Sequence, residues 1–285
     1  MANSFSYCRV CEHSLNFIKD IRGEETGKNV ALFKCKNCSS YFSRTDFFQQ
    51  TSSDISQASI DGHLNSENYV LDRVGDIFAY SINRCLLPET GTDFLDIGCG
   101  VGWSLIAAEK MGYKAVGIEP MDNAAAYANT SLNVKVLNSL FSAELFKGKK
   151  FDFIMMDQVL EHVPNPVETL VDAFSLLKPG GLFFLSVPPI DWSRIAISVS
   201  YWLSIKNMGI IERTSCLKRL TVLLKKYDTF CFPEGHINYF STKAILILAE
   251  RCNAKLIGQY HLNKSRAKYF PCLKLSTGSF LLKKR

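Results

Sequence analysis

A chain of 285 residues has room for one large α/β domain with a small appendage, and 47% hydrophobic against 21% charged residues is a globular composition that excludes a disordered or fibrous chain. The net charge of +6 averages an uneven distribution, with residues 1–45 at +3, 46–188 at −9 and 189–285 at +12, so the last third calls for an anionic partner or a solvated basic face. Met1-Ala2-Asn3-Ser4 opens no signal peptide and the longest apolar run, Ile195 to Ile205, is too short to cross a bilayer, so the expectation is a soluble cytoplasmic protein with reduced cysteines.

The chain begins with chemistry. Cys8-Arg9-Val10-Cys11 and Cys35-Lys36-Asn37-Cys38 are two C-x-x-C units separated by 23 residues. Each pair forms a knuckle that presents two thiolates, and two knuckles complete a tetrahedral zinc site with Cys8, Cys11, Cys35 and Cys38 as ligands. Disulfides, which a reducing compartment disfavours, or free thiols are the alternative. Such a zinc has no open coordination position, so its role is structural. Extended runs such as Asn29 to Phe33, with a turn at Glu24 to Gly27, predict a zinc ribbon over residues 1–45. A segment of this size buries too little apolar surface to fold without a staple.

Residues 46–65 are rich in Ser, Gln, Asp and Thr without a period, and read as a linker or lid. From Ser66 a helical pattern places Val70, Val74, Ile77, Phe78, Ile82 and Leu86 three and four residues apart, and ends before Pro88 and Gly91. The run Phe94-Leu95-Asp96-Ile97-Gly98-Cys99-Gly100-Val101-Gly102 then reads as a buried strand that breaks sharply into a helix. Three glycines at alternate positions remove Cβ atoms, which permits positive φ and close approach of a ligand. A dinucleotide fingerprint would read G-x-G-x-x-G with its acid about 20 residues on; here the acid sits inside the strand end.

Strands and helices then alternate with short loops. Helices are expected over Trp103 to Met111, Asp122 to Ser131 and Val167 to Leu177, and strands over Lys114 to Glu119, Val134 to Leu137, Phe151 to Met156 and Leu182 to Pro188. The run Lys178-Pro179-Gly180-Gly181 stops the third helix. This alternation predicts a parallel sheet covered on both faces, with the ligand at the carboxyl ends of its strands.

The D-x-G-x-G-x-G pattern of Asp96 to Gly102 resembles motif I of the class I S-adenosylmethionine (SAM) methyltransferases, and Asp157-Gln158-Val159-Leu160-Glu161-His162-Val163-Pro164 resembles the stretch after the fourth strand of their small-molecule members. The resemblance implies a Rossmann-like α/β fold with a seven-stranded sheet. Asp96 and the turn of Gly98, Cys99, Gly100 and Gly102 would lie under the methionine end of SAM. Glu119, followed by Pro120, would bind the ribose hydroxyls in a charge-assisted bidentate contact. Asn138 and Ser139 fall where the family contacts adenine, and Asp157 and Gln158 open the loop beside the methyl group. Tyr69, on the preceding helix, would approach the SAM carboxylate or the acceptor unless it is a packing residue.

After the fifth strand, Trp192 to Ile205 and Cys216 to Leu224 are helical by pattern, with Lys206, Arg213, Lys218, Arg219, Lys225 and Lys226 in or beside them. Residues 189–235 thus read as a helical substrate cover, with peripheral contact of 189–230 to an anionic membrane as the alternative. The stretch Glu234-Gly235-His236-Ile237-Asn238-Tyr239-Phe240-Ser241 leads into a helix from Lys243 to Cys252, with Ser241 or Thr242 as its N-cap. It is similar to a stretch of methyltransferases in nucleotide-sugar and polysaccharide pathways, among them sugar C-methyltransferases that begin with a two-knuckle zinc domain. Two departures stand: Gly235 replaces an acid, and 285 residues do not hold the further C-terminal domain of those C-methyltransferases. Strands over Lys255 to Tyr260 and Thr277 to Leu282 would close the sheet as an antiparallel hairpin.

Methyl transfer needs alignment of nucleophile, methyl carbon and sulfur, and a base where the nucleophile must lose a proton. His236 is the expected base, oriented by Glu234 or Tyr239, and His162 has a positioning role. A structural role for His236 is the competing reading, and His13, His63 and His261 have no assigned role. The expected function is methylation of a sugar or glycan precursor, an anionic small molecule, with oxygen favoured over carbon. The alternative is a methyltransferase or binding protein for nucleic acid that uses the ribbon and the basic last third. No RNA-recognition signature supports it. A SAM-fold adaptor without activity is a third reading, which the intact Asp96, glycines and Glu119 oppose.

Overall fold

The computed structural model describes residues 6–22, 29–43, 67–188, 236–259 and 278–285. The expected linker over 46–65 and cover over 189–235, with Glu234 and Gly235, lie outside the described residues, as do His63, His261 and the side chain of Tyr69. In chain order the elements are β1 (Leu15–Arg22), β2 (Asn29–Cys35), β3 (Tyr41–Ser43), α1 (Glu67–Asn83), β4 (Asp93–Ile97), α2 (Trp103–Lys110), β5 (Lys114–Glu119), α3 (Asp122–Thr130), β6 (Val136–Asn138), β7 (Phe151–Asp157), α4 (Pro166–Ser175), β8 (Leu177–Ser186), β9 (Asn238–Tyr239), α5 (Thr242–Arg251), β10 (Ala254–Gln259) and β11 (Ser279–Lys284). Single 3-10 turns lie at Ala143–Phe146 and Leu160–His162.

The larger sheet has seven strands in the order β10-β11-β8-β7-β4-β5-β6. Its strands β8, β7, β4, β5 and β6 run parallel, and β11 inserts antiparallel between β8 and β10. This is the expected Rossmann-like sheet closed by a hairpin. The chain winds outward in both directions from β4, so β4 and β7 flank the point at which the strand order switches and a crevice opens at the carboxyl ends.

Both faces of the sheet are covered, which is why the central strands are apolar without alternation. On one face Phe78 of α1 meets Phe94, Tyr113 and Phe153 edge to face, with centroids 5.3, 4.7 and 5.2 Å away. On the other, Phe174 of α4 stacks on Phe183 of β8 at 4.7 Å. That second core continues through Ala244, Ile245 and Leu248 of α5 into Cys8, Val10, Cys35, Cys38 and Phe42 of the N-terminal segment.

Boundaries depart from the sequence reading by one or two residues, except at β8 and at the end of α1, which stops at Asn83 short of the expected Leu86. Lys178–Gly181 was expected to separate helix from strand, yet the strand begins at Leu177, opposite Phe151, and the pairing resumes at Leu182 opposite Phe153. The intervening residues bulge out, with Gly180 at φ 76°. Lys178 is held there by its ammonium, which donates to Asp152 at 2.8 Å and Asp93 at 3.2 Å.

The smaller sheet has the order β1-β2-β3-β9, all antiparallel. Strands β1 to β3 form a three-stranded antiparallel unit in the segment where a zinc ribbon is expected. The fourth strand comes from the far end of the chain, with Tyr41 opposite Tyr239 and Phe42 opposite Asn238. No helix among the described residues is long and apolar enough to cross a membrane.

The glycine turn fixes the entry into α2. Gly98 sits at φ 78°, and a Cβ there would lie 2.3 Å from Cγ2 of Val159. Gly98→Ala combines left-handed strain with overpacking, so an expected loss of about 2–4 kcal/mol follows. Denaturant unfolding checks it as a lower midpoint at unchanged slope.

Candidate active site

The glycines expected to bare the turn for a ligand do different work at two of three positions. Gly98 faces Val159, and a Cβ on Gly102 would stand 2.9 Å from Cγ2 of Val134 and 3.2 Å from Cβ of Ala128. Both are needed for close packing of turn against protein. Gly100, at φ 54°, donates its amide to Oε2 of Glu119 at 2.8 Å. Cys99 is turned inward: its sulfur occupies the space beside Gly117, where a Cβ would lie 2.4 Å from it. Burial pushes that thiol well above its ordinary range.

Glu119, at the end of β5, is buried and binds the turn as well as facing the crevice. Besides Gly100, its Oε1 accepts from the Met121 amide at 3.0 Å, beyond the partly exposed Pro120. Its backbone carbonyl accepts from the amide of Ser139 at 3.2 Å and from the side chain of Asn138 at 3.5 Å. The expected ribose and adenine residues are thereby gathered at one place.

Asp96, at the end of β4, is 4% exposed, accepts at Oδ2 from the Ser104 hydroxyl of α2, and keeps Oδ1 buried without a hydrogen-bond partner. Burial pushes its carboxyl up to about 7, with the Ser104 bond working against that shift and the charges of Asp157 and Glu119 adding to it. Such an orphaned acceptor is costly unless a donor arrives.

Asp157, at the end of β7, does not face the crevice alone. Arg73 of α1 grips it with both terminal nitrogens, Nη1 to Oδ2 and Nη2 to Oδ1 at 2.6 Å, and Nη2 also donates to Ser186 Oγ at 3.1 Å. The neighbouring Gln158 takes φ 57°, donates its amide to the Ser186 carbonyl at 2.9 Å and its side chain to Ser186 Oγ at 3.0 Å. Arg73 and Ser186 were missed by sequence reasoning. The available signal was position, since Arg73 lies inside the apolar stripe of Val70, Val74 and Ile77 where a cation needs a buried partner.

The 3-10 turn Leu160–His162 and the segment before β9 bring together the second half of the site. The His162 and His236 rings meet edge to face at 4.7 Å. Glu161 is fully buried, and neither carboxylate oxygen has a hydrogen-bond partner. Glu161, His162 and His236 offer donor atoms all within 4.8 Å of one another. Burial pushes the Glu161 carboxyl up to about 8 and, with His162, pulls the His236 imidazole down to about 4. At neutral pH His236 is therefore an unprotonated proton acceptor next to a protonated carboxyl.

Tyr239 reaches His236 at its main chain. The Tyr239 hydroxyl donates to the backbone carbonyl of His236 at 2.8 Å, and the two rings are 6.1 Å apart. Tyr239 thus holds the main chain, because a strand residue three positions on reaches back along its own backbone, and Glu161 is the acid beside the imidazole.

The four cysteines close a second cluster. Cys8 and Cys38 sulfurs lie 3.6 Å apart, Cys11 and Cys35 sulfurs 3.5 Å apart, and all four within 4.8 Å of one another. The Val10 amide points at Cys8 Sγ at 3.4 Å and the Cys38 amide at Cys35 Sγ at 3.5 Å. The Cys38 thiol is pulled down to about 5, chiefly by its bond with Cys8.

Residues 73–259 match the family model described as "Methyltransferase domain". The chain is 26% identical over 183 residues to the ubiquinone biosynthesis O-methyltransferase of Shewanella halifaxensis, covering 60% of this chain and 72% of that protein. It is 32% identical over 124 residues to the protein of the same name from Cereibacter sphaeroides, covering 41% of this chain and 50% of that one, so the match spans about half of some of these relatives. A solved SAM-dependent methyltransferase from Mesorhizobium loti superposes with a TM-score of 0.48 at 17% identity, over 70% of this chain and 95% of that one. With more than half of its length matched by the family model, over the crevice just described, this chain belongs to the methyltransferase-domain family and is a SAM-dependent methyltransferase.

Proposed function

We propose that the protein transfers the methyl group of SAM to an oxygen of a small anionic acceptor, a sugar or glycan precursor, with His236 as the base. The observation that carries the reading is the apposition of a half-buried, unprotonated His236 to His162 and Glu161, beside the end of β7. SAM, when bound, supplies a methyl group on a sulfonium. The protein aligns the acceptor and removes its proton, work suited to a neutral imidazole. His162 packs against His236 and fixes the plane of its ring.

The residues of the crevice fit the donor. Asp96 Oδ1 is an acceptor awaiting a donor group. The Glu119 carboxylate offers about four lone-pair sites and stands beside the turn, accepting from the Gly100 and Met121 amides. Asn138 and Ser139 stand beside it for the base, and Gly98, Cys99, Gly100 and Gly102 line the turn through their backbone. Asp157 and Gln158 hold the wall opposite, where Arg73 places a cation. Glu119→Ala is expected to weaken SAM binding by about ten- to a hundredfold, read by calorimetry. Wild-type affinity in that variant would remove Glu119 from the donor site.

The four cysteines fit a structural zinc. Zinc–sulfur bonds of about 2.3 Å in a tetrahedron separate the sulfurs by about 3.8 Å, close to the spacings found here. The ligand set is complete without solvent, so this metal has no place in the chemistry.

The glycan reading of the acceptor rests on the +12 charge of the last third and on the resemblance of the His236 stretch. A second reading has its own support: the relatives are named for ubiquinone biosynthesis, which favours a phenolic oxygen. Methyl transfer to a panel of nucleotide sugars, phenols and RNA separates them. Turnover on a nucleotide sugar is the expected result. Turnover on a phenol alone overturns the glycan acceptor, and turnover on RNA alone overturns the small-molecule reading.

A further inference from the structure

The segment that carries His236 cannot hold itself. Its strand, β9, is two residues long, far too short to be stable alone. What surrounds it is therefore what sets the position of the imidazole.

Arg9, between the first two cysteines, supplies much of that surround. Its Nη1 donates to the Ile237 carbonyl at 3.1 Å and to Asn238 Oδ1 at 2.8 Å, while Nη2 donates to the Ser43 carbonyl at 3.1 Å. The guanidinium also lies over the Phe42 ring. Asn238, itself buried, passes the connection on: its side-chain amide donates to the carbonyls of Leu160 at 3.2 Å and Val163 at 2.7 Å. Those two residues bracket Glu161 and His162. The Ile237 amide donates to the Glu161 carbonyl at 2.9 Å, which ties the same two strips together again.

The second knuckle grips the far side. The Ser241 hydroxyl donates to the Cys38 carbonyl, the Ser241 amide donates to Ser40 Oγ at 3.0 Å, and Lys243 Nζ donates to the Asn37 carbonyl at 2.7 Å. Ser43 adds its amide on the Ile237 carbonyl at 3.0 Å and its hydroxyl on the His236 carbonyl at 3.3 Å. Both knuckles and β3 thus bind the strip 236–243 over sequence separations of about two hundred residues.

We infer that Arg9 is a positioning residue for methyl transfer, which fixes the His236 main chain through the adjoining Ile237 carbonyl and His162 through Asn238, so that the N-terminal cysteine module is a wall of the acceptor site. The inference rests on the reading of His236 as the base. A planar guanidinium with a fixed fork can serve three acceptors at once, and neither an ammonium nor an apolar chain replaces it. Misplacement of a catalytic group by about 1 Å costs on the order of a hundredfold in rate.

The test is Arg9→Met, with Arg9→Lys as the conservative partner, in the full-length protein. Zinc content and SAM affinity are measured first, and both are expected at wild-type values. Histidine ring signals in ¹⁵N-labelled protein, assigned with His236→Gln and His162→Gln, are expected to move for both residues. The value of kcat is expected to fall about 10- to 100-fold, less in Arg9→Lys, with little change in KM for SAM. Should Arg9→Met fail to fold, Asn238→Asp keeps the acceptor for Arg9 and removes both donors to Leu160 and Val163. It should then move the His162 signal and lower kcat while the cysteine module stays loaded. Unmoved ring signals with full zinc would overturn the inference. Moved signals with unchanged kcat, together with an active His236→Ala, would keep the positioning and overturn the base assignment.

Discussion

His236→Ala is expected to lower kcat about 10²- to 10⁴-fold at neutral pH with SAM affinity unchanged, because a positioned base contributes that much and the donor side of the crevice is built from other residues. The pH profile carries a second signature. An ordinary imidazole protonates near 6.5, whereas burial and His162 hold His236 down at about 4. Activity limited by this base should stay flat as pH falls from 7 to 5 and drop only on approach to about 4. Above neutrality the Glu161 carboxyl, pushed up to about 8, releases its proton. A negative charge beside the imidazole raises its basicity, so the rate should climb as pH rises through about 8. The two groups titrate as a coupled pair, and the limbs belong to the pair. Full activity of His236→Ala on the true acceptor would end the base assignment.

Stability follows the same groups with opposite signs. For His236 the unfolded state takes its proton first, so stability is lost as pH falls from about 6.5 toward 4. For Glu161 the folded state keeps a proton that the unfolded chain has already released, so stability is lost as pH rises toward about 8.

Cys35→Ser is expected to abolish metal binding and release the N-terminal module. Elemental analysis should fall from about one zinc per chain to none, and limited proteolysis should cleave within residues 1–45. Structural zinc contributes about 10–16 kcal/mol in small zinc-folded peptides, far more than a short three-stranded sheet recovers by itself. SAM binding should survive, since Asp96 and Glu119 hang on β4 and β5, elements with their own core. Methyl transfer should not survive, since β9 loses β3, its neighbour in the smaller sheet among the described residues. A metal-free protein with an intact N-terminal module would refute the zinc assignment.

Much of this protein is legible without coordinates because its chemistry is local. An acid at a strand end followed by three glycines is a statement about backbone geometry within nine residues, and the seven-stranded sheet follows from alternating patterns with short connections. The paired C-x-x-C units carry their ligand spacing on their face, and Ser241 does cap α5, accepting from the Ala244 amide at 3.1 Å. Other features have no local trace. Arg73 finds Asp157 across 84 residues, and only burial reveals that its charge needs a partner.

Glu234 is a sequence neighbour of His236, whereas Glu161 comes beside the imidazole only through tertiary packing, because the fold lays a 3-10 turn against the entry to β9. A two-residue strand has no period to detect, so the pairing of β3 with β9 was invisible, and with it the joining of the cysteine module to the catalytic crevice. The amino-acid order alone determined the family, the glycine turn and the four-cysteine cluster, each set by spacing along the chain. Which side chains face one another around His236 was decided by long-range packing, since burial and through-space charge set the protonation of His236 and Glu161.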